Sequence, residues 1–391
     1  FPGGGVRIDG HDPHFPWGQT NEYPTEGALA KYHLPPFQAA VDAGCTSIMP
    51  YYAKPVNTSA KQLDEELWQS PSTQFDEVAF AYNKTIIGDL LRDKMGFTGY
   101  INSDSGVIDA MVWGVEELTE KERFAKAVKA GTDIFSDMSN PQKLVDAVAD
   151  GLLTSDDLTG PATRLLTEIF ALGLFENPYV DPAEAEKAIG NAETQALGEQ
   201  KQRESVVILK KGEALPLDTS KKVYTFATGR TSIGEVQEKL NKAVDKRFTR
   251  ADLDDADIAI VWARPEIELF EDDQEGVTLS INPEDCGVDL EQVKRIQEQV
   301  PTIVVVNFTN PWILEHLEPG ADSLVGSFEI TPDNLLDSLV GGEAKGHLPF
   351  AVPASMETVK ASPRDVPGKY LGDDYAYVDS VGNRYTYGFG L

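Results

Sequence analysis

Apolar positions recur along this chain with two alternating periods. Residues 36–44 (PFQAAVDAG) carry helical spacing that Gly44 would end, and residues 46–52 (TSIMPYY) read as a strand. Between residues 75 and 95, Val78, Ala79, Phe80, Ile86, Ile87, Leu90 and Leu91 fall near a helical repeat, which predicts a second helix stopping at Gly96. Tyr100, Ile101 and Asn102 suit a strand that runs into Ser103-Asp104-Ser105-Gly106. Thr119 and Glu122 have the spacing of a capping box for a helix reaching Ala130, and Gly131 would close it. Residues 132–137 (TDIFSD) form a third short strand, followed by helices over about 140–150 and 154–172.

The rhythm breaks at residues 173–182 (GLFENPYVDP), and a polar stretch rich in Ala and Glu then runs to 203. A second alternation follows, with strands near 222–227, 257–263, 302–308 and 323–328 and helices near 232–243, 289–299 and 333–340. The strands IAIVWA and TIVVVNF are continuous apolar runs, the pattern of a parallel sheet covered by helices on both faces. The expected class is therefore α/β. Its divisions are 1–178, a linker over 179–203, an α/β domain over 204–355 and an irregular tail over 356–391.

Composition narrows the function. The 391 residues are 41% hydrophobic and 25% charged, and 34 basic against 64 acidic residues give a formal net charge of -30. Coulomb repulsion then opposes nucleic-acid phosphates and anionic membrane surfaces, so a neutral or cationic ligand is expected. No apolar run approaches the ~20 residues of a membrane span. Cys45 and Cys286 are the only cysteines, too few for a disulfide framework or a thiolate metal site. The chain opens on a Gly/Pro-rich loop, FPGGGVRIDGHDPHFPWG, as though inside a domain, and any targeting information would lie upstream. TGRTS and GKY contain glycine, but no phosphate-binding loop follows the first strand of the second half.

In parallel α/β domains functional groups gather at the carboxyl ends of strands. Asp104 is at such an end. Taken alone, it is equally readable as a helix N-cap.

The stretch LLRDKMGFTGYINSDSG is similar to the segment of glycoside hydrolase family 3 in which a barrel helix leads through GF-G to a strand ending in Ser-Asp. FPGGG, IMPYY, AGTDIF, GLFENPYV, ESVVILKKGEALPL and GHLPFAVP resemble further family segments in the same order. The resemblance implies the C-terminal part of a (β/α)8 TIM-like barrel followed by an α/β sandwich domain with a mostly parallel sheet. It also implies that Asp104 is the catalytic nucleophile and that Met49 and Tyr52 line the sugar pocket; both also suit core packing at a strand end.

A retaining glycosidase needs a second carboxyl about 5 to 5.5 Å from the first, acting as acid and then base. In the family's two-domain members it comes from a loop of the second domain. Setting VTLSI against the corresponding segment places Glu271 there, with Glu275, Glu266 and Glu268 as alternatives in the same acidic loop. One branch of the family uses an Asp-His pair instead, and Asp9-Gly10-His11 resembles it one residue short. Structural loop contacts are the other reading of His11, Asp12 and His14, and no third ligand is spaced for a metal.

The family usually follows its nucleophile with tryptophan. Ser105 stands here, so Trp113, Trp17 or Phe270 must supply an aromatic floor. About three of the eight strands that close such a barrel are present, so a complementary N-terminal polypeptide is expected to complete it. The implied activity is a retaining, exo-acting β-glucosidase on short β-glucosides, without a cofactor. β-Xylosidase, β-N-acetylglucosaminidase and a non-catalytic carbohydrate-binding subunit are the alternatives.

Overall fold

A computed structural model describes residues 1–4, 6–341 and 344–391. The chain forms two compact units. One comprises Phe1–Asp181 with Leu269–Leu279 and Pro363–Val366; the other comprises Pro182–Glu268, Ser280–Ser362 and Pro367–Leu391.

In the first unit, two short strands lie side by side, and of the strand expected over 132–137 only a single bridge at Ile134 forms. Ser47–Ile48 pairs in parallel with Tyr100–Ile101, and Asn102 makes a parallel bridge to Ile134. The strand expected over 46–52 is cut short at Pro50, which has no N–H to continue a ladder. The helix expected over 75–95 exists only as Thr85–Lys94. Asn83 sets its start: its side-chain oxygen accepts the Ile86 N–H at 3.1 Å, and its amide donates to the Asp76 carbonyl. Of the residues before it, Phe75 and Val78 to Tyr82 are buried, with no more than a 3-10 turn at Phe80–Tyr82, so their apolar spacing reports a core segment.

The remaining helices follow their sequence signals closely. Glu120–Ala130 begins at the Thr119/Glu122 capping box and ends at Gly131, whose φ of 111° a side chain would resist. Gln142–Ala149 and Ser155–Ala171 follow, the second capped reciprocally by Thr154 and Asp157.

The second unit is built on a six-stranded sheet. Its order is Val207–Lys210, Ser323–Ser327, Thr302–Asn307, Ile258–Arg264, Lys222–Gly229 and Thr249–Arg250. All neighbours are parallel except the first pair, which confirms the expected α/β class with a mostly parallel sheet. The central strands are buried at nearly every position, and an apolar cluster covers each face. The edge strands Val207–Lys210 and Thr249–Arg250 escape the sequence pattern because they are short. The stretch expected as a linker over 179–203 is instead occupied by two helices, Pro182–Ala188 and Ala192–Glu204, the second running one residue beyond it and started by an Asn191 cap on the Thr194 N–H. Among the described residues no helix is long and apolar enough to cross a membrane.

Candidate active site

Asp104 follows the strand Tyr100–Ile101. No helix starts after it. Residues 105–110 are turns, so the helix-cap reading falls away, and its Oδ1 accepts the Ser105 N–H at 2.7 Å. Ser103, just before it, is buried; its carbonyl accepts the Ser136 hydroxyl at 2.7 Å and its N–H donates to the Ile134 carbonyl. These bonds fix the strand end from which the carboxylate projects.

Beneath that end lies a residue the sequence pattern did not single out. The Asp133 side chain has no solvent exposure; it accepts the Ile101 N–H at 2.7 Å and bonds from the guanidinium groups of Arg92 and Arg164. Arg92 also donates to the carbonyls of Gly99 and Gly131. This buried charge cluster locks the register between the strand leading to Asp104 and its neighbour.

Tyr52 is 5% exposed, and its hydroxyl donates to the Ser105 carbonyl at 2.7 Å. Burial raises its pKa first, and the adjacent Asp104 carboxylate raises it further by charge and hydrogen bonding. The phenol therefore remains a neutral donor beside Asp104. Met49 is 48% exposed just after the strand Ser47–Ile48. Trp113 is buried in a cluster with Tyr52, Val78 and Ile108, and its indole donates to the Pro13 carbonyl at 2.8 Å.

The loop through His11, Asp12, His14 and Trp17 is tightly folded. A Cβ at Gly18 would stand 2.0 Å from the Asp12 carbonyl oxygen, so only glycine allows that return. The His14 ring lies against Tyr52 with centroids 4.6 Å apart and against Phe270 at 5.6 Å, while its Nδ1 meets Asp12. Phe15 stacks on Trp17 at 4.8 Å and meets Phe270 edge-on at 5.8 Å. The structure thus assembles Asp104, Ser105, Tyr52, His14 and Phe270 into one continuous set.

Phe270 and Glu271 share the single helical turn Leu269–Asp272, on which Glu271 is exposed. Glu275 is also exposed, whereas the Glu266 carboxylate accepts the Thr231 N–H at 3.3 Å in the second unit. Asp273 is the unforeseen member of this acidic run. It is 3% exposed and takes bonds from His11, the Asp12 N–H and the Trp17 indole. In sequence it is indistinguishable from its solvated neighbours, and its partners are more than two hundred residues away. Among the described residues no group of three or more His, Cys, Asp or Glu side chains is placed to hold a metal ion.

Residues 1–167 match the glycosyl hydrolase family 3 N-terminal domain. The chain is 34% identical over 385 residues to a probable beta-glucosidase C of Aspergillus flavus, covering 94% of this chain and 56% of that protein. It is 29% identical over 416 residues to a periplasmic beta-glucosidase/beta-xylosidase of Dickeya chrysanthemi, covering all of this chain and 58% of that one. The chain thus spans little more than half the length of these relatives. Among solved structures, a beta-glucosidase from Listeria innocua aligns with a TM-score of 0.73 at 19% identity, over 99% of this chain and 56% of that chain. At that identity the likeness speaks for the fold.

Proposed function

Since the chain belongs to glycosyl hydrolase family 3, we propose that it carries the catalytic residues of a retaining, exo-acting β-glucosidase that removes terminal non-reducing β-D-glucosyl residues. The observation that carries this reading is the Asp104 carboxylate at a strand's carboxyl end, oriented by the Ser105 N–H and faced by the buried Tyr52 hydroxyl.

In the first step Asp104 attacks the anomeric carbon as the bond to the leaving oxygen breaks, and the Glu271 carboxyl gives that oxygen its proton. A glycosyl ester on Asp104 results. In the second step the Glu271 carboxylate takes a proton from water, the water oxygen attacks the same carbon, and Asp104 leaves as a carboxylate. Tyr52 and Ser105 hold the nucleophile, Met49 contributes an exposed surface to the sugar pocket, and Phe270 and Phe15 offer the aromatic surface. Trp113 holds the Pro13 loop in place.

Residues 1–178 are assigned to the C-terminal part of a TIM-like barrel and residues 204–355 to the sandwich domain. Support comes from the parallel neighbours around residues 47–48, 100–102 and 134, whose remaining barrel partners a complementary N-terminal segment would supply.

The test uses the complete enzyme. Asp104→Gly should abolish turnover of p-nitrophenyl β-glucoside, and azide should restore it by acting as an external nucleophile. A variant that keeps its rate would refute the assignment. The name of the Dickeya relative joins glucosidase to xylosidase, so the xyloside belongs in the same assay; faster turnover of it would replace glucose by xylose as the substrate sugar.

A further inference from the structure

Glu271 has to be delivered to the nucleophile, yet it sits exposed on one helical turn in a segment with no core of its own. Of residues 269–279, Asp273 alone is buried. Its Oδ1 accepts bonds from the His11 Nδ1 at 2.6 Å and the Trp17 indole at 2.8 Å, and its Oδ2 accepts the Asp12 N–H. His11 is itself 4% exposed. A further bond from the Leu279 N–H to the Asp9 carbonyl at 3.1 Å ties down the far end of the segment.

All these partners come from the stretch Asp9 to Trp17. That stretch also presents His14 to Tyr52, the residue beside Asp104. The anchor of the Glu271 segment and the neighbour of the nucleophile are therefore carried by one short piece of chain.

The chemistry of the anchor matters. A buried carboxylate is costly unless donors surround it, and burial here pushes its pKa upward. The Asp12 N–H, the Trp17 indole and His11 outweigh that and hold it below the usual aspartate range. An apolar anchor would tolerate sliding or rotation, because dispersion contacts have little direction. A carboxylate held by donors on both oxygens does not, since any displacement leaves a buried charge with unmet hydrogen bonds.

We propose that Asp273, latched by His11 and Trp17, is a positioning residue of the glycosidase reaction that sets the place of the Glu271 carboxyl relative to Asp104. The proposal rests on the assignment of Glu271 as the acid/base.

The experiment compares a substrate that needs a proton donor with one that does not. Cellobiose has a poor leaving group and depends on acid catalysis, whereas 2,4-dinitrophenyl β-glucoside departs without it. In the complete enzyme, Asp273→Asn should lower kcat/KM on cellobiose by about 100-fold and on the dinitrophenyl glucoside by less than about 5-fold, given that positioned acid catalysis contributes factors of 10²–10⁴. Trp17→Phe keeps an aromatic ring in the stack on Phe15 but deletes one donor to Asp273. It should show the same selectivity at roughly one tenth of the size. A uniform loss on both substrates, or no loss, would overturn the latch. If Asp273→Asn does not fold, Trp17→Phe decides by the same criterion.

Glu271→Gln, run in parallel, separates this proposal from the one on which it rests. A selective loss in Glu271→Gln but not in the latch variants overturns the latch alone. A selective loss in the latch variants but not in Glu271→Gln overturns the glutamate assignment and confirms that the latch serves another acid on the segment, with Glu275 next to be replaced.

Discussion

The hydroxyl of Tyr52 donates to the backbone carbonyl of Ser105 at 2.7 Å, and this bond stands the phenol beside the Asp104 carboxylate. A phenol has one proton to give. In the mechanism proposed above, it would serve the carbonyl while Asp104 is esterified and turn to the carboxylate as charge returns to it. Tyr52→Phe should therefore lower kcat/KM by ~10- to 100-fold, the equivalent of a hydrogen bond to a charged group at about 1.5–3 kcal/mol. Steady-state kinetics on an aryl glucoside check this. Because burial and the Asp104 charge both raise the phenol's pKa, it keeps its proton through the neutral and mildly alkaline range. The alkaline limb of the pH profile should consequently stay in place in the variant.

Asp133 makes a second prediction, this one about stability. Its fully buried carboxylate is shared by Arg92 and Arg164, whose side chains are 14% and 25% exposed. Asp133→Ala would leave the two guanidinium groups with their charge uncompensated and the Ile101 N–H without its acceptor. A loss of about 3–5 kcal/mol is expected, the usual cost of breaking a buried ion pair from one side. Urea unfolding measures it, and a loss below ~1 kcal/mol would mean that the cluster behaves like a surface pair.

The sequence revealed those features whose causes are local. The helix at 120–130 was readable because Thr119, Glu122 and Gly131 act within a few residues of one another, and Ile258–Arg264 because a strand buried on both faces must be apolar throughout. The helix expected from residue 75 failed because the Asn83 side chain starts a new turn inside an apolar stretch, which periodicity alone does not register. At the site, Asp104 stood out by its place after a strand, supported by the ordered resemblance around it. Asp273 and Asp133 did not. Their burial is created by Trp17, His11, Arg92 and Arg164, and a single acidic residue in an acidic chain carries no mark of partners that the fold will bring to it.

Asp273 should also leave a trace in the acid stability of the protein. An unfolded aspartate titrates near ~3.9, and the folded group is held lower, so between the two values the unfolded chain binds a proton that the folded chain does not. Its contribution is fully present above the unfolded value and is lost as pH falls through the folded one. The Tm difference between the wild type and Asp273→Asn should thus be constant from about pH 7 to 5 and narrow below about pH 4. A difference that stays constant down to about pH 2 would show that the carboxylate's charge adds nothing to the fold.

In the second unit, the Lys210 ammonium lies 2.7 Å from the Glu318 carboxylate, with side chains 9% and 0% exposed. Glu318 also accepts the Tyr377 hydroxyl at 3.0 Å and both the N–H and the hydroxyl of Ser380. The edge strand Val207–Lys210 and the closing stretch around Tyr377 and Ser380 are thereby joined through one buried carboxylate. Burial first, then the Glu318 charge, raises the Tyr377 pKa, so the phenol remains a neutral donor to it. Lys210→Met should destabilise the unit by about 3–5 kcal/mol, because it strands the Glu318 charge. The added replacement Glu318→Gln removes that charge and should recover part of the loss. Limited proteolysis offers a local readout: in Lys210→Met, cleavage should appear early within residues 367–391, and the double variant should resist it. If the double variant is cut as readily as the single one, the Lys210 side chain acts through packing along its stem, and the ion pair is not what fastens the closing stretch to the sheet.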